Sequence, residues 1–148
     1  MSCESPSEIA SQSDVIMICV GKDDDVRDVI CGNNGILESV NPGTIIIDHS
    51  TTSATLAKEM NQILKEKECH FLDAPISGGQ AGAEAGKLSV MVGGCKESFE
   101  AVKIILDAYS KFSKHMGNSG SGQLTKMVNQ ICIGGLLQAL AEGMNFSE

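Results

Sequence analysis

No two of the six cysteines form a CxxC pair: Cys3, Cys19, Cys31, Cys69, Cys95 and Cys132 are scattered, a pattern that suits a reducing compartment. Cys19 and Cys132 stand in apolar surroundings and are expected to be buried thiols. Basic residues are scarce. Eleven Lys and Arg face nineteen Asp and Glu, a net charge of -8, and no basic stripe offsets it, so nucleic acid is not an expected partner. The first ten residues carry Glu4 and Glu8 and no apolar core, which fits neither a secretory signal nor a basic transit peptide. The most apolar stretch, Met127 to Ala141, is broken by Asn129, Gln130, Gly134, Gly135 and Gln138 and is too short to span a bilayer. No GxSxG elbow or Cys/His pairing points to a hydrolase, and His49, His70 and His115 are too dispersed for a metal site. What remains is 148 residues, 42% hydrophobic and 20% charged, enough for one ordinary domain of a cytoplasmic protein.

Buried strands and amphipathic helices alternate along the chain. Val15 to Val20 is a continuous apolar run between Asp14 and Gly21, the pattern of a strand buried on both faces of a parallel sheet. Thr44 to Ile47 and His70 to Leu72 repeat it, and each of these two runs stops at an acidic residue, Asp48 or Asp73. Helical spacing covers Asp24 to Cys31 and Ser53 to Lys67 between these strands. Leu88 to Val92 predicts another strand and Ser98 to Ala108 another helix, followed by a short extended piece near His115. Parallel neighbours need crossovers of this length, so the expected fold is α/β, a partial Rossmann-type parallel sheet with helices on both faces. A glycine-rich turn, Gly117 to Gly122, then leads into a long helix. This divides the chain into residues 1–119, part of a sheet domain, and 120–148, the start of a helical one. Abrupt ends suggest that both flanks of a larger protein are missing.

Two segments carry the chemistry. Asp73-Ala74-Pro75-Ile76-Ser77-Gly78-Gly79 runs from the carboxyl end of a buried strand, the edge where α/β sheets bind ligands, into a small-residue loop. Gly78 and Gly79 leave backbone N–H groups accessible and Ser77 adds a hydroxyl, so the segment is suited to a carboxylate. Composition alone also allows a flexible crossover, as the lesser reading. The second segment, Gly120 to Asn129, places Lys126 among apolar neighbours with Asn129 three residues on, on the same helical face. A partly desolvated ammonium gives up its proton more readily, which suits a general acid/base, although taken alone Lys126 reads more simply as a surface lysine. Gly120-Ser121-Gly122 is not a dinucleotide fingerprint, because Thr125 stands where the third glycine belongs. Asp23-Asp24-Asp25 reads as an acidic helix start complementing the dipole.

Taken together, DAPISGGQAGAEAGKLSVMVGG and GSGQLTKMVNQ, in that order and spacing, resemble the substrate-loop and lysine signatures of the β-hydroxyacid dehydrogenases, the family of 3-hydroxyisobutyrate dehydrogenase. The resemblance implies hydride transfer between NAD or NADP and a small 3-hydroxy acid or its semialdehyde. It implies that Ser77, Gly78 and Gly79 bind the substrate carboxylate, that Lys126 is the acid/base and that Asn129 positions the reacting oxygen. It also implies that Val20, Gly21 and Thr51 lie along the dinucleotide; Val20-Gly21 stands where many relatives have Leu-Pro. The family's N-terminal GxGxxG turn and its all-helical second domain are absent, so the chain resembles a fragment whose parent is a homo-oligomer, placed in the mitochondrial matrix if a transit segment preceded it. Two other readings stand beside this one: a non-catalytic binding module on the same fold, and a 6-phosphogluconate-type dehydrogenase, which would need more cations than Lys87 supplies near the loop.

Overall fold

The computed structural model describes residues 3–147. Its helices are α1 (Pro6–Ala10), α2 (Asp23–Cys31), α3 (Ala54–Lys65), α4 (Gly79–Glu84), α5 (Lys96–Asp107) and α6 (Ser121–Ser147), with a 3-10 turn at Ile36–Glu38. Its strands are β1 (Val15–Ile18), β2 (Ile45–Asp48), β3 (His70–Asp73), β4 (Ile76–Ser77), β5 (Leu88–Gly93) and β6 (Ser110–Gly117). Local chemistry sets the helix starts: the Ser53 hydroxyl accepts the Leu56 N–H at 3.0 Å to cap α3, and Asp23, Asp24 and Asp25 occupy the first turn of α2.

The first three strands lie parallel in the order β1-β2-β3, with Ile18, Asp48 and Asp73 level at their carboxyl ends. Beyond them the sheet reverses. β3 and β4 both pair antiparallel with β5, while β6 runs parallel to β5 along its other edge. The α/β Rossmann-type expectation holds, with the refinement that Leu88–Gly93 runs opposite to the first three strands. The reversal has a local cause: the chain runs on from β3 into β4, and after α4 it returns alongside β4 as its antiparallel partner β5 instead of crossing over the sheet.

Alternate side chains feed two cores. Ile16, Ile18, Ile46 and Phe71 pack under α2 and α3, against Val26, Ile30, Leu56, Met60 and Leu64. Ile47, Leu72, Val90 and Val92 face the other way, against Phe99, Val102 and Leu106 of α5. Each large aliphatic or aromatic side chain so buried contributes about 1.5–3 kcal/mol, so helices are held on both faces.

The structure corrects three expectations. β1 is a border strand among the described residues and is not buried on both faces: Val15 packs only partly against the α5-side core and Met17, on the same face, is 45% exposed. Cys19 is exposed, since it lies past the last paired residue of that strand. Cys132 is exposed as well, because α6 leaves the body of the molecule and every residue from Gln130 to Ser147 is exposed. No helix among the described residues is long and apolar enough to cross a membrane.

Candidate active site

β3 supplies both walls of the site. Its backbone runs on through Ala74 and Pro75 into β4 and the Ser77–Gly79 turn. Its last side chain, Asp73, turns the other way and takes the N-terminus of α6: Oδ1 accepts the Gly120 N–H at 2.8 Å and Oδ2 the Gln123 N–H at 3.0 Å. A carboxylate in that position satisfies orphan amides and complements the helix dipole. The fit leaves no room for side chains, because a Cβ on Gly122 would stand 2.4 Å from the Asp73 and Met91 carbonyl oxygens. One on Gly93 would stand 2.6 Å from Asp73 Oδ1. Gln123, fully buried, completes the joint: its Oε1 accepts the Thr52 N–H at 3.1 Å and its Nε2 donates to the Ser50 carbonyl at 2.8 Å.

This docking sets the rotation of α6, and Lys126, one turn beyond Gln123, faces inward with only 9% of its surface exposed. No carboxylate lies within ion-pair distance of it among the described residues. It shares a cavity of about 530 Å³ with Ser77, Gly78, Gly79, Gln80 and Gln130, floored by Ile76, Leu88 and Ile133. The turn needs its glycines for backbone reasons: φ is 140° at Gly78 and 61° at Gly79, where side chains are disfavoured. The two sequence segments thus meet in one place. Asn129 is not in the cavity wall; its Nδ2 donates to Gln130 Oε1 at 3.0 Å. Gln130, the last residue of the GSGQLTKMVNQ signature, also lines the cavity, a place that nothing in the sequence singled out for it.

The cofactor candidates occupy the neighbouring strand ends. The Val20 N–H donates to the Ser50 hydroxyl at 2.9 Å, tying the turn after β1 to the one after β2. Gly21 lies against Asp25, whose Oδ2 would stand 3.1 Å from an added Cβ. Thr51 is exposed at the same edge, and the buried Thr52 Oγ1 has no hydrogen-bond partner. An unpartnered hydroxyl beside a row of parallel strand ends fits a polar ligand laid across the crevice. Burial pushes the Asp48 carboxyl up to about 6, against hydrogen bonds from Ser50 that lower it, and the neighbouring Asp73 charge raises it further.

Residues 1–134 match the family model of the NAD binding domain of 6-phosphogluconate dehydrogenase. The chain belongs to this family of NAD-binding domains. It is 48% identical over 145 residues to an uncharacterized oxidoreductase of Shewanella frigidimarina, covering 98% of this chain and 50% of that one. It is 40% identical over 141 residues to a probable mitochondrial 3-hydroxyisobutyrate dehydrogenase of Dictyostelium discoideum, covering 95% of this chain and 44% of the relative. Among solved structures it resembles 3-hydroxyisobutyrate dehydrogenase of Mycobacterium tuberculosis with L-serine. That match has a TM-score of 0.88 at 31% identity and covers 95% of this chain and 47% of the other. The chain therefore spans about half the length of the curated relatives it matches. NAD is the cofactor that this family of domains binds.

Proposed function

We propose that the chain forms the cofactor crevice and half of the substrate cleft of an NAD(P)-dependent β-hydroxyacid dehydrogenase acting on a small 3-hydroxy acid or its semialdehyde. The observation that carries this reading is the shared cavity of Lys126 and the Ser77–Gly79 turn. In it a carboxylate at the turn presents its hydroxyl-bearing carbon toward the ammonium group. In the oxidative direction neutral Lys126 takes the hydroxyl proton as the carbonyl forms; in reverse, its ammonium returns a proton to the carbonyl oxygen. Bound NAD(P) supplies the hydride acceptor or donor. Val20, Gly21 and Thr51 line the crevice along the dinucleotide, and Asn129, on the helical face next to Lys126 but outside the cavity wall, is assigned to orient the reacting oxygen once its amide turns from Gln130 toward the cavity. Residues 1–119 are the sheet domain and 120–148 begin a helical one.

A 6-phosphogluconate-type substrate is disfavoured by the cavity itself, since Lys126 is its single cation among the described residues and Lys87 does not line it. The test is Lys126→Ala in a protein that carries this chain, assayed by reduced-cofactor absorbance with 3-hydroxyisobutyrate. Turnover should fall by roughly 10²–10⁴ while cofactor affinity changes little. Retained turnover would refute the assignment.

A further inference from the structure

His49 is a buried titratable group that proton transfer at Lys126 does not use. It follows Asp48 at the end of β2, and its ring reaches β3: Nδ1 lies 2.7 Å from the Ala74 carbonyl oxygen and Nε2 lies 2.8 Å from the Tyr109 hydroxyl. A carbonyl only accepts, so Nδ1 carries the hydrogen, and Nε2 of the neutral ring accepts from the Tyr109 O–H. Burial holds the imidazole below its usual range and pushes the Tyr109 phenol up to about 12, which keeps this arrangement of protons. The two rings meet edge to face, with centroids 5.6 Å apart. The Ala74 N–H is also taken by β2, donating to the Asp48 carbonyl at 2.8 Å. Both backbone polar groups of Ala74 are therefore bound to β2, just where the chain leaves β3 for the Ser77–Gly79 turn. On the far side the Pro75 carbonyl accepts the Met91 N–H of β5 at 3.1 Å.

We propose that His49, oriented by Tyr109, is a positioning residue that holds the Ala74–Pro75 link so that Ser77, Gly78 and Gly79 stay in the cavity wall with Lys126. The consequence for ligand affinity rests on the carboxylate-binding reading of that turn; the positioning itself does not. Amide hydrogen exchange on the 148-residue chain separates the two. In His49→Phe the amides of Ala74 and Met91 should exchange about tenfold faster, while those of Gly43 and His70, at the opposite end of the strands, keep their wild-type rates. His49→Asn, which places an amide donor near the position of Nδ1, should restore protection, and Tyr109→Phe should give the same pattern at smaller amplitude. Uniform acceleration at all four amides would reveal a general contribution to stability, and unchanged rates would show no contribution; either overturns the proposal. A parallel titration with 3-hydroxypropionate, in a protein that carries this chain, should show about tenfold weaker binding in His49→Phe, recovery in His49→Asn and unchanged NAD⁺ affinity. If the wild-type protein that carries this chain binds no hydroxy acid while the exchange pattern holds, the carboxylate reading fails and the positioning role stands. If wild type and His49→Phe bind it equally, the carboxylate reading fails where the exchange pattern holds, and the positioning role fails where the exchange rates are equal too.

Discussion

Asp48 and Asp73 are register partners on adjacent parallel strands, both almost fully buried, and no cation pairs with either among the described residues. Backbone N–H groups carry the compensation instead, from Ser50 for Asp48 and from Gly120 and Gln123 for Asp73. For both, burial outweighs it: the Asp73 carboxyl is raised above its ordinary range, and that of Asp48 is held up at about 6 against an ordinary 3.8. A raised acid favours the folded state while it keeps its proton, so its contribution is full below pH about 4 and is lost as the pH rises through about 6. Asp48→Asn retains an acceptor for the Ser50 N–H and sheds this dependence. It should match the wild type near pH 4 and exceed it by about 1–3 kcal/mol at pH 7, measured by urea unfolding at each pH. A constant gap across that range would count against the account. Asp73→Asn should act in the other direction, because an amide offers one acceptor where two N–H groups need one each. A loss of about 1–3 kcal/mol is expected in the same unfolding measurement.

At the scale of elements, the joint between β3 and α6 allows no added atom at Gly122. Gly122→Ala should force the helix start away from Asp73 and cost about 1–3 kcal/mol or more, with a parallel loss of hydroxy-acid binding at the cavity it helps align. A variant with wild-type thermal unfolding would show that the joint can yield. The alternation of apolar runs and helical spacing made β1, β2, β3, α2, α3 and α5 legible, because each helix buries one stripe, which leaves a period in the sequence, while β2 and β3 bury both faces, which leaves an unbroken apolar run. Lys126 and the Ser77–Gly79 turn were legible through motif order. The antiparallel course of β5 was not, since an apolar strand looks the same in either direction. Nor was the role of Gln123, whose side chain contacts the turn after β2, far away along the chain, and leaves no local pattern. Met17 and Cys19 misled for a related reason: apolarity reports a preference for burial, whereas exposure at the sheet border depends on which neighbours are present.

At the scale of the whole molecule, the far part of α6 displays Ile131, Ile133, Leu136, Leu137, Leu140, Met144 and Phe146 to solvent. A helix that is apolar on most sides is normally covered. The chain should therefore self-associate, giving sedimentation coefficients that rise with concentration, and Leu136→Glu with Leu140→Glu should shift it toward monomer. A monodisperse wild-type monomer at all concentrations would contradict this. The 27 residues of α6 make it about 40 Å long, and Lys126 stands only about 7 Å from the end anchored by Asp73. Such a rod behaves as a lever with its fulcrum at the carboxylate. Rocking it by about 10° would carry the distant tip about 7 Å yet shift the ammonium by little more than about 1 Å. The far end of α6 can thus swing widely while the Lys126 ammonium keeps its place beside the Ser77–Gly79 turn.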